Sequence, residues 1–327
     1  MSKIIKWGIL GSGRIAHKFA EGLKVLPDAK LEAVASKTEG KAESLSKMFG
    51  VKNIYNNYED LVKNPSVNVI YIATTHNFHY ENTLLCLNNG RPVLCEKPLT
   101  LNAIQAEELI KTARNNKLFL MEAMWTRFLP CIVKLNELLD KGILGEIRHF
   151  KADFGLRQKL DPNGRSFNPD LGGGSLLDLG VYPISFARMI YKQSPSKIKS
   201  NAYIGETGVD EKSCYLFEYE NGQTAMLSSS NRLIMPHNAS IFGTKGYLEI
   251  PNFYRPSKMI LKLEGKRKKT IKIHFKSTGY NYEARETMSC LNAGKIESEI
   301  MPLDETLEIM KTMDILRSQW YFKYPGE

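Results

Sequence analysis

Gly11-Ser12-Gly13-Arg14-Ile15-Ala16 follows the apolar run Ile4 to Leu10 and opens a segment, Gly13 to Leu26, whose apolar residues Ile15, Phe19, Leu23 and Leu26 recur at helical spacing. A strand, a tight glycine turn and a helix in that order begin a dinucleotide-binding βαβ unit. The first glycine permits the turn, the second lets the backbone approach a pyrophosphate, and the small Ala16 allows close helix packing. The helix N-terminus, with its unpaired N–H groups, attracts the anion. A plain strand-to-helix turn with no ligand has the same local form, so the surroundings decide.

The surroundings keep alternating. Leu31 to Ala35 reads as a second strand and Lys41 to Phe49 as a helix. Val67 to Ala73 is a β-branched strand, Tyr80 to Asn88 a helix, Pro92 to Cys95 a strand, and Ala103 to Asn115 a helix before the apolar run Leu118 to Met121. This βαβα order predicts a parallel sheet covered on both faces. Right-handed crossovers make it doubly wound, a Rossmann-type α/β domain over residues 1–122.

Past Glu122 the pattern changes. After one helix, Ile132 to Lys141, strands dominate: Ile147–Phe154, Ile198–Ile204, Ser213–Tyr219, Thr224–Ser228, Ala239–Phe242, Tyr247–Ile250, Met259–Leu263 and Thr270–Phe275. Turn signals such as Glu220-Asn221-Gly222 and Thr244-Lys245-Gly246 separate them, which predicts a large, mostly antiparallel open-faced sheet. Helices are expected at Tyr282 to Ala293 and Leu303 to Trp320. Residues 123–327 are therefore expected to form an α+β domain.

Composition limits the rest. The chain has 327 residues, 43% hydrophobic and 24% charged, ordinary for a globular protein with a sizeable core. No apolar run approaches the roughly 18 residues of a membrane span, and Met1-Ser2-Lys3 begins no signal-peptide layout. The five cysteines are scattered without a CxxC pair, as in a reduced, cytoplasmic protein with neither disulfides nor a metal site. The net charge is +10, but the one dense basic cluster, Lys266-Arg267-Lys268-Lys269, reads as a solvated hairpin turn entering a strand. No nucleic-acid-binding signature accompanies it, so no nucleic-acid partner is expected.

The second strand selects the nucleotide. An NAD site usually carries an acid there to bind the ribose hydroxyls. Here Ser36-Lys37 stands at the strand end with no acid before Glu39. A hydroxyl and a cation suit a 2′-phosphate, so NADP is the expected cofactor, with NAD left as an alternative. The competing reading makes Lys37 an ordinary exposed strand-end residue.

Two further stretches carry chemistry. Glu96-Lys97-Pro98 ends the strand Pro92 to Cys95, and Lys and Glu are rarely buried without a role. Pro98 restricts the backbone at Lys97 and is compatible with a cis bond. Farther on, Leu171-Gly172-Gly173-Gly174-Ser175 leads into a helix start in which Asp178 and Tyr182 are spaced to share a face. Pro183 is expected to kink that helix or loosen its hydrogen bonding. A small-molecule pocket and a structural pairing (Asp178 on the helix dipole, Tyr182 in the core) are both open readings.

Taken with Thr74-Thr75-His76-Asn77 and His79, these motifs resemble the Gfo/Idh/MocA oxidoreductases in order and spacing over essentially the whole chain. Met121-Glu122-Ala123-Met124-Trp125-Thr126-Arg127-Phe128, Tyr182, Ala152-Asp153-Phe154-Gly155 and Arg165-Ser166-Phe167-Asn168-Pro169 are similar to the branch of dimeric dihydrodiol and NADP-linked D-xylose dehydrogenases. The resemblance implies hydride transfer between nicotinamide and a CH–OH or C=O group of a sugar, cyclic polyol or trans-dihydrodiol. It implies a dinucleotide held by Gly11, Ser12, Gly13, Arg14, Ile15, Ser36, Lys37, Thr74, Thr75, His76, Glu96 and Lys97. It implies a catalytic pair, Lys97 and Tyr182, with Asp178 orienting the substrate or Lys97. Tyr182, where many members carry a histidine, argues against an inositol dehydrogenase.

The chemistry of that pair is coherent. A tyrosine titrates near 10, too high for an efficient base at neutral pH, and a lysine cation stabilises its phenolate. Glu96 is expected to hold the Lys97 ammonium or the nicotinamide region. His79 and Trp125 are expected at the substrate, with capping or packing the competing role for each. Arg148 and Arg165 are read as surface residues, with contact to the substrate the competing role. An open antiparallel sheet commonly pairs with a copy of itself, so a homodimer or larger homo-oligomer is expected. A non-catalytic dinucleotide-binding sensor on the same fold is the alternative to an enzyme.

Overall fold

In the computed structural model, which describes residues 4–327, the chain forms two compact units. The first comprises the residues up to Phe128 together with Lys276–Leu307, the second Leu129–Phe275 with Glu308–Glu327. A single break after residue 122 does not describe this division.

The first unit begins β1 (Ile5–Leu10), α1 (Arg14–Leu23), β2 (Ala29–Ala35), α2 (Lys41–Phe49), β3 (Asn53–Tyr55) and α3 (Tyr58–Lys63). It continues with β4 (Val69–Ile72), α4 (His79–Asn88), β5 (Val93–Glu96), α5 (Ala103–Asn115) and β6 (Leu120–Ala123). The strands pair in the order β3-β2-β1-β4-β5-β6, all parallel. The order reverses between β1 and β4, which puts the crevice for a ligand at their carboxyl ends. β4 and β5 are buried along their whole length, as strands covered on both faces must be. β3 and α3 went unread in the sequence. β3 has three residues and no periodicity, and it is defined by pairing with Ala33 to Ala35; α3 starts where Asn57 accepts from the Asp60 N–H at 2.8 Å.

The late segment returns to this unit through α8 (Tyr280–Asn292), numbered after the helices of the second unit. α8 packs on α1 at Gly22, where a side chain would come within 2.9 Å of the Asn281 nitrogen. Beyond α8, Leu120 N–H donates to the Ile296 carbonyl at 3.1 Å, and Arg114 pairs with Glu297 and Asp304. These long-range contacts leave no trace in local periodicity, so a break at one point was the natural sequence reading.

The second unit contains α6 (Pro130–Asp140), β7 (Ile147–Gly155), α7 (Val181–Tyr191), β8 (Lys197–Ile204), β9 (Asp210–Glu218) and β10 (Thr224–Ser230). β11 (Ala239–Gly243), β12 (Gly246–Ile250), β13 (Lys258–Leu263) and β14 (Lys269–Lys272) follow, and the last helix, α9 (Leu303–Gln319), ends in this unit. The eight-stranded sheet runs β14-β13-β12-β11-β7-β10-β9-β8. Only the β7–β10 pair is parallel. α7 packs on one face and is buried at nearly every position. The other face is open: along β9, Tyr215 and Phe217 point into the core while Cys214 and Leu216 are exposed, the period-2 pattern of a one-sided sheet. Met226 and Phe242 lie exposed on β10 and β11. Among the described residues no helix is long and apolar enough to cross a membrane.

Candidate functional site

The glycine loop sits at the carboxyl end of β1, and its geometry fits a dinucleotide. Gly11 has φ +93°, and a Cβ there would lie 2.9 Å from the carbonyl carbon and oxygen of Ala73, so only glycine closes the turn. Gly13, by contrast, has nothing within 4 Å of a Cβ position, leaving the backbone open to a ligand. Ser12 between them is buried, yet its hydroxyl has no hydrogen-bond partner. A buried unsatisfied hydroxyl beside an open glycine and a helix start is the chemistry a phosphate completes. Arg14 and Ile15 form the first turn of α1.

At the end of β2, Ser36 is buried, and its hydroxyl is engaged in a local turn with the backbone of Thr38 at 3.2 Å. Lys37 is exposed, with its ammonium 4.9 Å from the centre of the Tyr58 ring. The cation is therefore at the strand mouth, as the sequence predicts, and the serine hydroxyl is partly committed to the turn. Thr74 and Thr75 follow β4 and are half-buried; Thr75 donates to Asn77 at 2.7 Å, and His76 is buried at the start of a short 3₁₀ turn.

Lys97 is held by its neighbours. Its peptide bond to Pro98 is cis. Its backbone N–H donates to Glu96 Oε2 at 3.3 Å, while the Tyr71 hydroxyl donates to Glu96 Oε1. Glu96 thus binds the backbone of Lys97 and a core tyrosine, contacts that sequence reasoning did not foresee. One residue past Pro98, Leu99 N–H donates to Glu122 at 3.2 Å, and Glu122 also accepts from the Thr306 hydroxyl at 3.0 Å. Burial raises the Glu122 carboxyl to about 7. Burial first, and then the charge of Glu96, pushes Glu283 on α8 well above the usual carboxylate range. Glu283 is fully buried with neither oxygen hydrogen-bonded, an environment that favours the neutral acid. Tyr71 is likewise pushed well up by burial and by Glu96, which keeps its proton available to donate.

His79 and Trp125 are both buried, and each has packing or hydrogen-bond contacts of the kind given as its competing role. His79 is fully buried, with Nδ1 2.7 Å from the Pro98 carbonyl and Nε2 3.2 Å from that of Thr74. A carbonyl can only accept, and a neutral imidazole has one N–H. The shorter contact makes Nδ1 the donor to Pro98, so His79 braces the lysine turn. Trp125 is also buried and stacks flat on Tyr280, with ring centres 4.8 Å apart.

In the second unit Gly173 and Gly174 are needed for close approach to the protein's own atoms. A Cβ on Gly174 would collide with Asp210 Oδ1 at 2.3 Å, and one on Gly173 would meet the Asn168 carbonyl at 2.7 Å. Asp210 is buried and accepts from Ser175 Oγ at 2.7 Å and Leu176 N–H at 2.8 Å, so it caps the helix start. Burial raises that carboxyl to about 6. Residues Leu176–Gly180 make a π-helical turn before α7, so Asp178 and Tyr182 do not share a regular α-helical face. Pro183 accounts for the wider turn, since its ring opposes an α-type fit against the preceding carbonyls.

Asp178 is buried and accepts both terminal nitrogens of Arg165, at 3.3 and 3.2 Å. Arg165 is itself exposed, as its surface reading expects, and its fork holds the buried carboxylate in one orientation, a pairing the sequence did not reveal. Arg148 is exposed as well and pairs with Glu146. Tyr182 is surrounded by aromatic rings. Phe154 meets it edge-on at 5.2 Å, Tyr254 lies 6.3 Å away, and Phe154, Tyr254 and His237 pack on one another. Sequence reasoning missed Tyr254 and His237, which lie on loops joined to this group only by the sheet. Among the described residues no group of three or more His, Cys, Asp or Glu side chains is placed to hold a metal ion.

Comparison with known proteins matches this architecture. Residues 5–124 fit the model of an oxidoreductase family with an NAD-binding Rossmann fold, and residues 132–249 fit the GFO/IDH/MocA C-terminal domain. The chain is 36% identical over 331 residues to a trans-1,2-dihydrobenzene-1,2-diol dehydrogenase of Xenopus tropicalis, covering 98% of this chain and 99% of that one. It is 34% identical to the human protein of that name, covering 99% of each. Among solved structures it is similar to a 3-ketoreductase from Actinomadura kijaniata in complex with NADP and TDP-benzene, with 25% identity, a TM-score of 0.86, and 96% and 97% of the two chains covered. An aldose-aldose oxidoreductase from Caulobacter crescentus shares the fold at 22% identity and a TM-score of 0.89, over 97% of each chain.

Proposed function

The chain belongs to the Gfo/Idh/MocA oxidoreductase family, and from that premise we propose that it oxidises a secondary alcohol of a diol or sugar, or reduces the matching ketone, with NADP(H). The protein is a nicotinamide-dependent dehydrogenase or reductase acting on CH–OH groups. The observation that carries the reading is the pairing of an open Gly11–Gly13 loop, with its orphaned Ser12 hydroxyl, and a firmly braced Lys97 at the carboxyl edge of the same sheet.

Alcohol oxidation removes a hydride from carbon and a proton from its hydroxyl. The dinucleotide, when bound, supplies the hydride acceptor. Gly11, Ser12, Gly13, Arg14 and Ile15 hold its pyrophosphate through backbone N–H groups and the helix start, and Lys37 favours a 2′-phosphate. Thr74, Thr75, His76 and Glu96 belong to the same crevice by their place at strand ends. Tyr182 takes the hydroxyl proton as its phenolate, and the Lys97 cation favours that phenolate. Asp178, fixed by Arg165, orients the substrate. Phe154 and Tyr254 supply apolar surface for a ring or sugar face.

In this reading the first unit binds dinucleotide, and the second binds substrate and a second copy of the chain. The open sheet face, with Leu216, Met226 and Phe242 exposed, supports a homodimer. All five cysteines are free and four are buried, which suits a reducing cytoplasm. The test is turnover of NADP⁺ and NAD⁺ with a panel of trans-dihydrodiols, aldoses and cyclic polyols. Lys97→Met and Tyr182→Phe are each expected to lower kcat by at least about a hundredfold. Unchanged turnover in both variants, or no substrate in the panel, would remove the catalytic assignment.

A further inference from the structure

The net charge of +10 is unevenly placed. Residues 255–275 hold eight Lys and Arg against one Glu, so they carry seven of the ten net charges. An edge strand gains from a few lysines, which block pairing with other chains, and β14 is an edge strand. That need does not account for two of the charges, Arg255 and Lys258, which face a common recess. Pro251, Asn252, Arg255, Ser257, Lys258 and His274, together with Phe275, line a recess of about 340 Å³ that has no acidic side chain in its wall.

Two charges elsewhere in the segment are relieved. Lys268 pairs with Glu249 at 3.7 Å, and the Lys262 ammonium donates to the Lys266 carbonyl. The recess is not relieved. Lys258 stands directly across the β13–β14 ladder from Lys272, and like charges opposite one another are destabilising. Among the described residues, no carboxylate lies within ion-pair distance of Arg255, Lys258 or Lys272.

The recess is also preorganised. Phe253 is fully buried and its N–H donates to the His237 carbonyl at 3.0 Å. Tyr254 stacks on Phe154 at 4.5 Å, so the loop is pinned on the residue before Arg255. Beyond it, Arg255 N–H closes a turn on the Asn252 carbonyl at 2.8 Å, and Ile273 N–H extends the ladder to the Ser257 carbonyl at 2.9 Å. The walls therefore hold their shape without a ligand, which lowers the cost of binding one.

We propose that this recess, formed wholly by the second unit, binds a small multivalent anion bearing phosphate or carboxylate groups. Its volume falls in the range of small-ligand sites and exceeds what a single monovalent ion fills. Arg255 offers a planar fork, Lys258 a point charge, and Ser257 and Asn252 neutral donors.

Calorimetric titration tests this on protein saturated with NADP⁺, so that the dinucleotide loop is filled. Inorganic pyrophosphate and citrate are the two probes, and their relative affinities separate a phosphate ligand from a carboxylate one. One-to-one binding is expected for at least one probe, weakening steeply with salt. Arg255→Ser with Lys258→Ser should weaken it by at least about tenfold. Lys199→Ser with Lys212→Ser, which removes two exposed lysines on other strands, should leave it within about twofold. Lys258→Gln alone, on an exposed residue, guards against misfolding and should show an intermediate loss. Absence of saturable heat with both probes would overturn the proposal, as would equal losses in the control. Retention on duplex DNA that needs Arg255 and Lys258, without binding of either small anion, would overturn it in favour of a polymer.

Discussion

Replacing Glu122 by glutamine should reverse the order of stability of variant and wild type as pH rises. Glu122 is fully buried, and it accepts hydrogen bonds from Leu99 N–H at 3.2 Å and the Thr306 hydroxyl at 3.0 Å. Burial lifts its carboxyl from the ordinary 4.5 to about 7, against the smaller opposing effects of Thr306, Arg127, Leu99 and Lys97. Between those two values the folded chain keeps a proton that the unfolded chain has released. The stability this group contributes is therefore complete below 4.5 and lost as pH rises through about 7. A gap of about 2.5 in pKa corresponds to about 3.4 kcal/mol, a ceiling for the loss. Glutamine cannot ionise, keeps an oxygen for Leu99 N–H and offers an amide to Thr306. Less ideal hydrogen bonds should cost Glu122→Gln about 1 kcal/mol at acid pH. At about pH 8 the variant should exceed the wild type by about 2 kcal/mol, the remainder of the ionisation term. Urea denaturation from acid to mildly alkaline pH, followed by tryptophan fluorescence, measures the difference. If the two stability curves stay parallel across that range, Glu122 is not a buried acid with a raised pKa, and the account of the Lys97 turn loses one of its supports.

Three further outcomes are expected. Gly11→Ala forces a Cβ against the Ala73 backbone at φ +93°; it should cost about 1–3 kcal/mol and abolish quenchable NADPH binding in a fluorescence titration. Lys37→Glu should raise the KM for NADP⁺ at least about tenfold and leave that for NAD⁺ within about threefold, since only the former carries a 2′-phosphate. Equal shifts for both nucleotides would count against Lys37 as the selector. Asp178→Asn, which breaks the charged pair with Arg165, should lower kcat/KM at least about tenfold with NADPH affinity unchanged. Full activity in that variant would show that substrate orientation does not depend on the carboxylate.

Local rules made much of this protein legible. The Gly11–Ala16 turn between an apolar run and a helical stripe specified the βαβ start, and the period-2 strands after Ile147 specified the one-sided sheet. These signals are local because a turn needs glycine where φ is positive, and a half-buried strand needs alternation. The lysine turn was also legible, through the cost of placing Lys97 and Glu96 at a strand mouth.

The sequence by itself therefore determined the nucleotide-type fold and the order of its longer elements, and it singled out the residues proposed to carry the chemistry. Tertiary structure decided what those residues touch. Glu96 turned to Tyr71 and the Lys97 backbone, His79 to the Pro98 carbonyl, and Arg165 to Asp178. It decided that residues 276–307 return to the first unit, and that Glu122 and Glu283 stand as buried acids around the lysine turn. The physical reason is common to all of these. Periodicity and turn chemistry act over a few residues, whereas burial and charge depend on whichever distant segments close over a group, and that closure exists only once the chain has folded.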